Sequence, residues 1–295
     1  MSDSLAALRR KIAGAGDLHA VVRTMKALAA SSIGDYERSV LALADYDRLV
    51  TLGLGECFRQ AQAAAVVAPP VQPDTKGPIG AIVFGSDQGL VGPFNDVIAE
   101  HAIAALADAR GPVQVWAVGE RVQARLVDAG LSVMGHYAVP GSVEAIAPLI
   151  AQIQIDSEKR RTQGHVTQLH IFHNRPLAGS LYEPVGQRLL PLDAAWQQRL
   201  TAVRWPGSTL PEVLDHGATT LRALIREYLF ISLFRASAES LASENASRLA
   251  AMQRADRNIQ DLLEELHGSF QRQRQGSIDE ELFDVTSGYE ALAKA

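Results

Sequence analysis

Proline is missing from both ends of this chain. All 13 prolines fall between Pro69 and Pro211, so the first 68 residues and the last 84 contain none. Since proline breaks helix interiors, two proline-free flanks predict long helices bracketing a compact, proline-punctuated centre. Cysteine is nearly absent as well. Cys57 stands alone, which excludes an intramolecular disulfide framework, fits a reducing compartment and leaves helix packing as its ordinary role. No stretch approaches the roughly 18 consecutive apolar residues that a membrane span requires. The opening MSDSLAALRRKIAGAG carries no apolar core of signal-peptide length, so a chain that stays in solution is expected. A net charge of -5 without long basic runs lacks the electrostatic footprint of a nucleic-acid binder, and no nucleic acid is expected as a partner. At 47% apolar and 21% charged residues, the 295-residue chain can bury a sizeable core.

The N-terminal flank has a clear period. Leu8, Ala15, Val22, Ala29, Tyr36, Leu43 and Val50 recur every seven residues, accompanied by Leu5, Ile12, Met25, Ile33 and Val40. That is a coiled-coil seam. Small residues dominate around Ala27 to Ser32, so whatever packs there must come close. The C-terminal flank offers a partner stripe through Leu221, Leu224, Ile225, Tyr228, Leu241, Leu249, Met252, Ile259, Leu262, Leu266 and Phe270. An uninterrupted helix of about 60 residues rises about 90 Å, too long to lie within a domain of this size, and the pair is expected to project as a stalk. Gly268, Gly276 and Gly288 mark places for a kink or an early end.

The centre alternates. Ile79 to Phe84, Val113 to Val118 and Val166 to Asn174 read as buried strands, with helices around Asn95 to Ala109, Glu120 to Ala129 and Ser142 to Asp156. The expectation is an α/β sandwich with a largely parallel sheet, entered through the linker Val67 to Pro78. The resulting domain division is 1–66, 67–207 and 208–295.

At the end of the first strand, VFGSDQGLVGPFN (Val83 to Asn95) has the outline of a phosphate cradle, because strand, glycine turn and helix start bind anions in doubly wound domains. The spacing argues otherwise. Gly85, Gly89 and Gly92 lie four and three apart, matching neither common phosphate-loop pattern, and the loop holds no lysine. Asp87 would repel a phosphate. A structural role is expected instead, with Ser86 or Asp87 capping local backbone donors and the glycines permitting tight packing.

Catalytic constellations are scarce. His165, His170 and His173 cluster, but His170 and His173 alternate to opposite faces of a regular strand and no further ligand has metal spacing. No Ser/His/Asp pattern occurs, and Asp256, Asp261, Glu264 and Glu265 among Arg254 and Arg257 read as a solvated helix face. Neither catalytic, metal nor cofactor residues are expected.

The segment LRRKIAGAGDLHAVVRTMKALAASSI resembles the opening helix of the gamma subunit of F-type ATP synthases, with Leu8, Arg9, Lys11, Ile12, Met25, Ala29, Ala30 and Ser31 matching or conservatively replacing its pattern. ESLASENASRLAAMQRADRNIQDLLEEL and RQGSIDEELFDVTSG are similar to that family's C-terminal helix and ending, and FGSDQGLVGPFN to its loop after the first strand. The resemblance implies an α/β fold class: a long antiparallel coiled coil of N- and C-terminal helices plus a central Rossmann-like α/β domain. It also implies a central rotor shaft within a ring of alternating alpha and beta subunits, on which the nucleotides sit. The α/β domain would be a structural collar, seated with the lower coiled coil on the c-subunit membrane ring beside epsilon, on the cytoplasmic side of the plasma membrane. Contact with the ring would involve Met25 and the retained Arg274, Gln275 and Ile278. The chain departs from the family at Gln88, Val91, Pro93, Asp256, Gln271, Gly276 and Asp279, which marks a divergent branch. A different reading, a small-molecule-binding α/β protein with helical extensions, places a ligand in the loop from Gly85 to Gly92.

Overall fold

The computed structural model describes residues 4–64, 77–109, 111–177, 180–207, 209, 211–212 and 218–293. In chain order the elements are α1 (Leu5–Ala42), α2 (Ala44–Ala64), β1 (Ile79–Phe84), α3 (Phe94–Leu106), β2 (Val113–Val118), α4 (Glu120–Asp128), β3 (Ser132–Tyr137), α5 (Ile146–Thr162), β4 (Gln168–Leu177), β5 (Ser180–Leu190), α6 (Ala194–Ala202) and α7 (Ala218–Ala293). By contact density the chain divides into two units, Met1–Ala29 with Arg248–Ala295, and Ala30–Ser247.

In the larger unit the five strands run in the order β3-β2-β1-β4-β5. β1 through β4 are mutually parallel and β5 adds antiparallel to β4. The all-apolar reading of β1 is explained by burial on both faces, as parallel strands between helices require. Ala81 and Val83 pack with Ile98, Ala102, Val122 and Leu126 of α3 and α4. Ile82 and Phe84 point to the other face, against Ile146, Ile150 and Ile153 of α5 and Leu233 and Leu241 of α7. A third cluster joins Val50, Leu54 and Phe58 of α2 to Leu200 of α6 and Ile231 of α7. Cys57 is buried, and desolvation pushes its thiol pKa up, consistent with a packing role.

In the smaller unit the helices are antiparallel, since Arg9 lies over the Phe270 ring, His19 meets Asp256, and Val22 packs with Met252 and Ile259. Along the seven-residue seam of both units Leu8, Val22, Ala29, Tyr36 and Val50 are buried, while Ala15 and Leu43 are half-buried.

Four details correct the sequence reading. The N-terminal helix is not continuous: at Leu43 the amide donates to Val40 O, one tight turn that separates α1 from α2. Next, α7 passes Gly268, Gly276 and Gly288 without ending, because a single glycine costs only about 1 kcal/mol in a long helix. Leu262 is exposed and Leu263 takes its place in the seam. Finally, β4 runs on to Leu177, and β3, β5 and α6 join the strands and helices read from sequence. Most of the expected linker, residues 67–76, lies outside the described residues.

Candidate functional site

In an open α/β sheet, ligands bind beyond the carboxyl ends of the strands where the strand order reverses. Here that point lies between β1 and β4. The loop following β1 is bound tightly to its surroundings. A Cβ on Gly85 would come within 2.3 Å of Val122 Cβ, and one on Gly119, at φ +113, within 2.8 Å of the Ser86 backbone. Asp87 spends both carboxylate oxygens on backbone donors, accepting from Glu120 N at 3.0 Å and Val139 N at 2.8 Å. It thereby caps the first turn of α4 from a distant loop, the arrangement that stabilises a helix start. Asn95 accepts from Ser86 N at 2.9 Å and donates to Ser86 Oγ at 2.8 Å. Leu90 adopts φ +62 and Gly92 φ +58.

Helix α7 fills the crevice. Ser247 Oγ donates to Val91 O at 2.5 Å, and Ser243 Oγ donates to Asn174 O at 3.1 Å. The Asn174 side chain, fully buried, donates in turn to Phe94 O at 3.0 Å. Tyr182 of β5 stands edge-on to Phe94 with ring centroids 5.4 Å apart, and burial pushes its phenol above the ordinary value. The small side chains of Ser240, Ser243 and Ser247, all buried, let the helix backbone approach the strand ends closely. Where a doubly wound domain would place a nucleotide, this one places part of its own chain.

Further ties fasten the long helices within this unit. His173 of β4 lies 2.7 Å from Glu239 of α7, Arg235 donates to Asp47 at 2.7 Å, and Tyr46 donates to Glu227 at 2.6 Å. The residues are 66 to 188 positions apart, so no local pattern in the sequence announces them. His170, on the opposite strand face, is held below the ordinary imidazole value by burial and by nearby Arg188. Among the described residues no group of three His, Cys, Asp or Glu is placed to hold a metal ion.

The expected partner-contact residues lie on the helix pair and are not brought together. Met25 is half-buried beside Val22, Met252 and Ile259. Arg274 and Ile278 share a face of α7 at i, i+4, roughly 33 Å along the helix from Met252. Arg274 and Gln275 are exposed and, among the described residues, make no hydrogen bond or ion pair; Ile278 is 44% exposed. An unforeseen feature is Asp256, read from sequence as part of a solvated face. It accepts from Lys26 Nζ at 2.7 Å and faces His19 Nε2 at 2.8 Å, joining the two helices. These two bonds, Lys26 first, hold its carboxyl below the ordinary value.

Residues 4–292 match the model of a family described as ATP synthase. The chain is similar to the ATP synthase gamma chain of Anaeromyxobacter sp., 26% identical over 98% of this chain and 99% of that one, and to that of Roseiflexus castenholzii, 25% identical over 97% and 98%. Among solved structures it resembles a chain of the Euglena gracilis mitochondrial ATP synthase in an OSCP/F1/c-ring structure, with TM-score 0.62, 16% identity and coverage of 98% and 94%. A chain of the Tetrahymena thermophila mitochondrial ATP synthase central stalk and c-ring gives TM-score 0.55 at 21% identity, covering 80% of this chain and 99% of that one. No helix of the described residues is long and apolar enough to cross a membrane.

Proposed function

We propose that this chain, which belongs to the ATP synthase family, is the gamma subunit of that enzyme: the central rotor shaft that couples ion flow through a membrane ring to ATP synthesis or hydrolysis. Catalysis then resides on partner beta subunits, and the chain itself carries no catalytic residue and no cofactor. Its helix pair turns inside the ring of alpha and beta subunits, while the α/β domain and the adjoining helices seat on the c-subunit ring with epsilon. In this reading the chain is peripheral, on the cytoplasmic side of the plasma membrane. In this reading residues 1–66 and 208–295 are the shaft and 67–207 the collar.

The observation that carries the reading is the outer surface of the helix pair. Leu18, Val21 and Leu28 of α1 and Ile278, Leu282, Phe283 and Val285 of α7 are all exposed, although they sit on helices already joined by a seam. Exposed apolar side chains in such number call for a surrounding partner. A shaft whose apolar face differs around its circumference presents different contacts to each catalytic subunit and so biases their conformations differently. Met25 and Ile278 supply apolar contact. Arg274 and Gln275 supply polar contact, the guanidinium being suited to a paired bond with a carboxylate.

The test is the double replacement Arg274→Ala with Gln275→Ala in the assembled complex. Reduced retention of alpha and beta subunits, or reduced ATP turnover, is expected. Retention and turnover both equal to wild type would remove these residues from the interface.

A further inference from the structure

At the far end of β4 from the filled crevice, the larger unit contains a second concavity of about 410 Å³ between α5, α7 and the starts of β4. Its walls are mostly apolar: Val166, Leu169, Leu190, Leu229 and Leu233 are all buried, and Ile155 is 62% exposed. Gln154 of α5 donates to Arg226 O of α7 at 3.1 Å, which holds the two helices at this separation. The charge at the mouth is unbalanced. Arg161 is committed to Glu158 at 2.9 Å, while among the described residues the exposed Arg226 guanidinium makes no hydrogen bond or ion pair. Two arginines and one glutamate thus line a cavity whose buried polar side chain, Gln168, already donates to Gly77 O at 3.3 Å.

A cavity with this lining and volume falls in the range that takes a small molecule. Its apolar walls call for a hydrocarbon and its mouth for an anion. We propose that it binds a single-chain carboxylate amphiphile, a free fatty acid, with the alkyl chain among Leu169, Leu190, Leu229 and Leu233 and the carboxylate at Arg226. A guanidinium can hold a carboxylate by two parallel bonds, which favours this head group over a neutral one. The proposal goes beyond the rotor role and does not depend on it.

Titration calorimetry of the full chain with dodecanoate tests it, with dodecyltrimethylammonium carrying the same tail on a cation and acetate carrying the head group alone. Saturable binding of dodecanoate at one site per chain, at least tenfold tighter than the cationic amphiphile and undetectable for acetate, is expected. Arg226→Gln, a change at an exposed position, should weaken dodecanoate binding about tenfold. Ala151→Trp, at the exposed rim, should block it while leaving the melting temperature unchanged. Absence of saturation, equal binding of the two amphiphiles, or wild-type affinity in Arg226→Gln would each overturn the proposal. ATP turnover of the assembled complex is scored separately, so failure here leaves the rotor reading standing.

Discussion

The same two helices, α1 and α7, pass through two units of very different construction. Within residues 30–247 they pack against a sheet, and their buried side chains are large: Tyr36, Leu229, Leu233 and Leu241 join one face of a core with Phe84, Trp116 and Ile150. Within residues 4–29 and 248–293 they have only each other, and the cluster shrinks to Val22, Met252 and Ile259 with Met25, Ala251, Ala255 and Leu263 around it. There the exposed apolar side chains outnumber the fully buried ones of the cluster. One stretch of helix spends its apolar surface on its own fold, and the other holds it in reserve. The contrast teaches that helix length alone does not measure stability, because most helical stability comes from tertiary packing.

In the larger unit the most damaging single substitution falls at Gly119. Alanine there must hold φ near +113 and meet the Ser86 backbone, so Gly119→Ala is expected to cost about 2–4 kcal/mol. Denaturant unfolding should show the loss in the sheet unit, with hydrogen exchange of residues 4–29 unaltered. Smaller, and confined to the other unit, is Val22→Lys: burying a lysine where valine packs should remove about 2 kcal/mol and speed exchange along 4–29 and 248–270. Met25→Lys, half-buried beside it, should disturb the helix pair less, since a long side chain can reach water, while reducing coupled ATP synthesis in the complex. Intact coupling would show that Met25 does not face the sleeve.

Asp87→Ala removes two bonds to backbone amides and should lower the stability of the sheet unit by about 0.5–2 kcal/mol. Calorimetry at tens of micromolar should detect neither ATP nor a dinucleotide on the wild-type chain or the variant. Saturable binding that depends on Gly89 or Gly92 would revive the crevice as a ligand site. The smallest effect is the pH response of Asp256. Its carboxyl is held below the ordinary value in the folded pair, so its contribution is complete above the unfolded carboxylate value and fades as pH falls through the lowered one. Exchange protection of the helix pair should weaken in acid, and Asp256→Asn should flatten that dependence.

How far the sequence could be read follows from where each element lies. The seam was legible because a seven-residue period needs no knowledge of the partner, and β1 and β2 because a central strand is apolar on both faces. β3 and β5 escaped for the opposite reason. Both are edge strands, where Gly135, Pro184 and Gly186 are tolerated and the apolar run is interrupted. The role of the loop at Asp87 was legible from spacing and charge, but not its partners at Glu120 and Val139. Nor was the filling of the crevice visible, since Ser240, Ser243 and Ser247 in a helix resemble a wet surface until a strand end is placed against them. Asp256 misled similarly, because its partners lie more than 200 residues away. Arg274 and Gln275 were legible only through family resemblance, because exposed polar side chains on a helix carry no local pattern that distinguishes a contact from a wet surface.

The serine ties in the crevice also set an order of events in folding. Ser247 meets Val91 across 156 positions and Ser243 meets Asn174 across 69. Such contacts are slow to form, because the intervening chain must be ordered before they repay its entropy. During synthesis the strands from β1 to β5 are complete well before α7 emerges, so the carboxyl ends of β1 and β4 wait, open and unsealed, for a helix made later. The sheet unit is therefore finished by its last element, and a chain arrested before Ser243 carries a crevice with nothing of its own to close it.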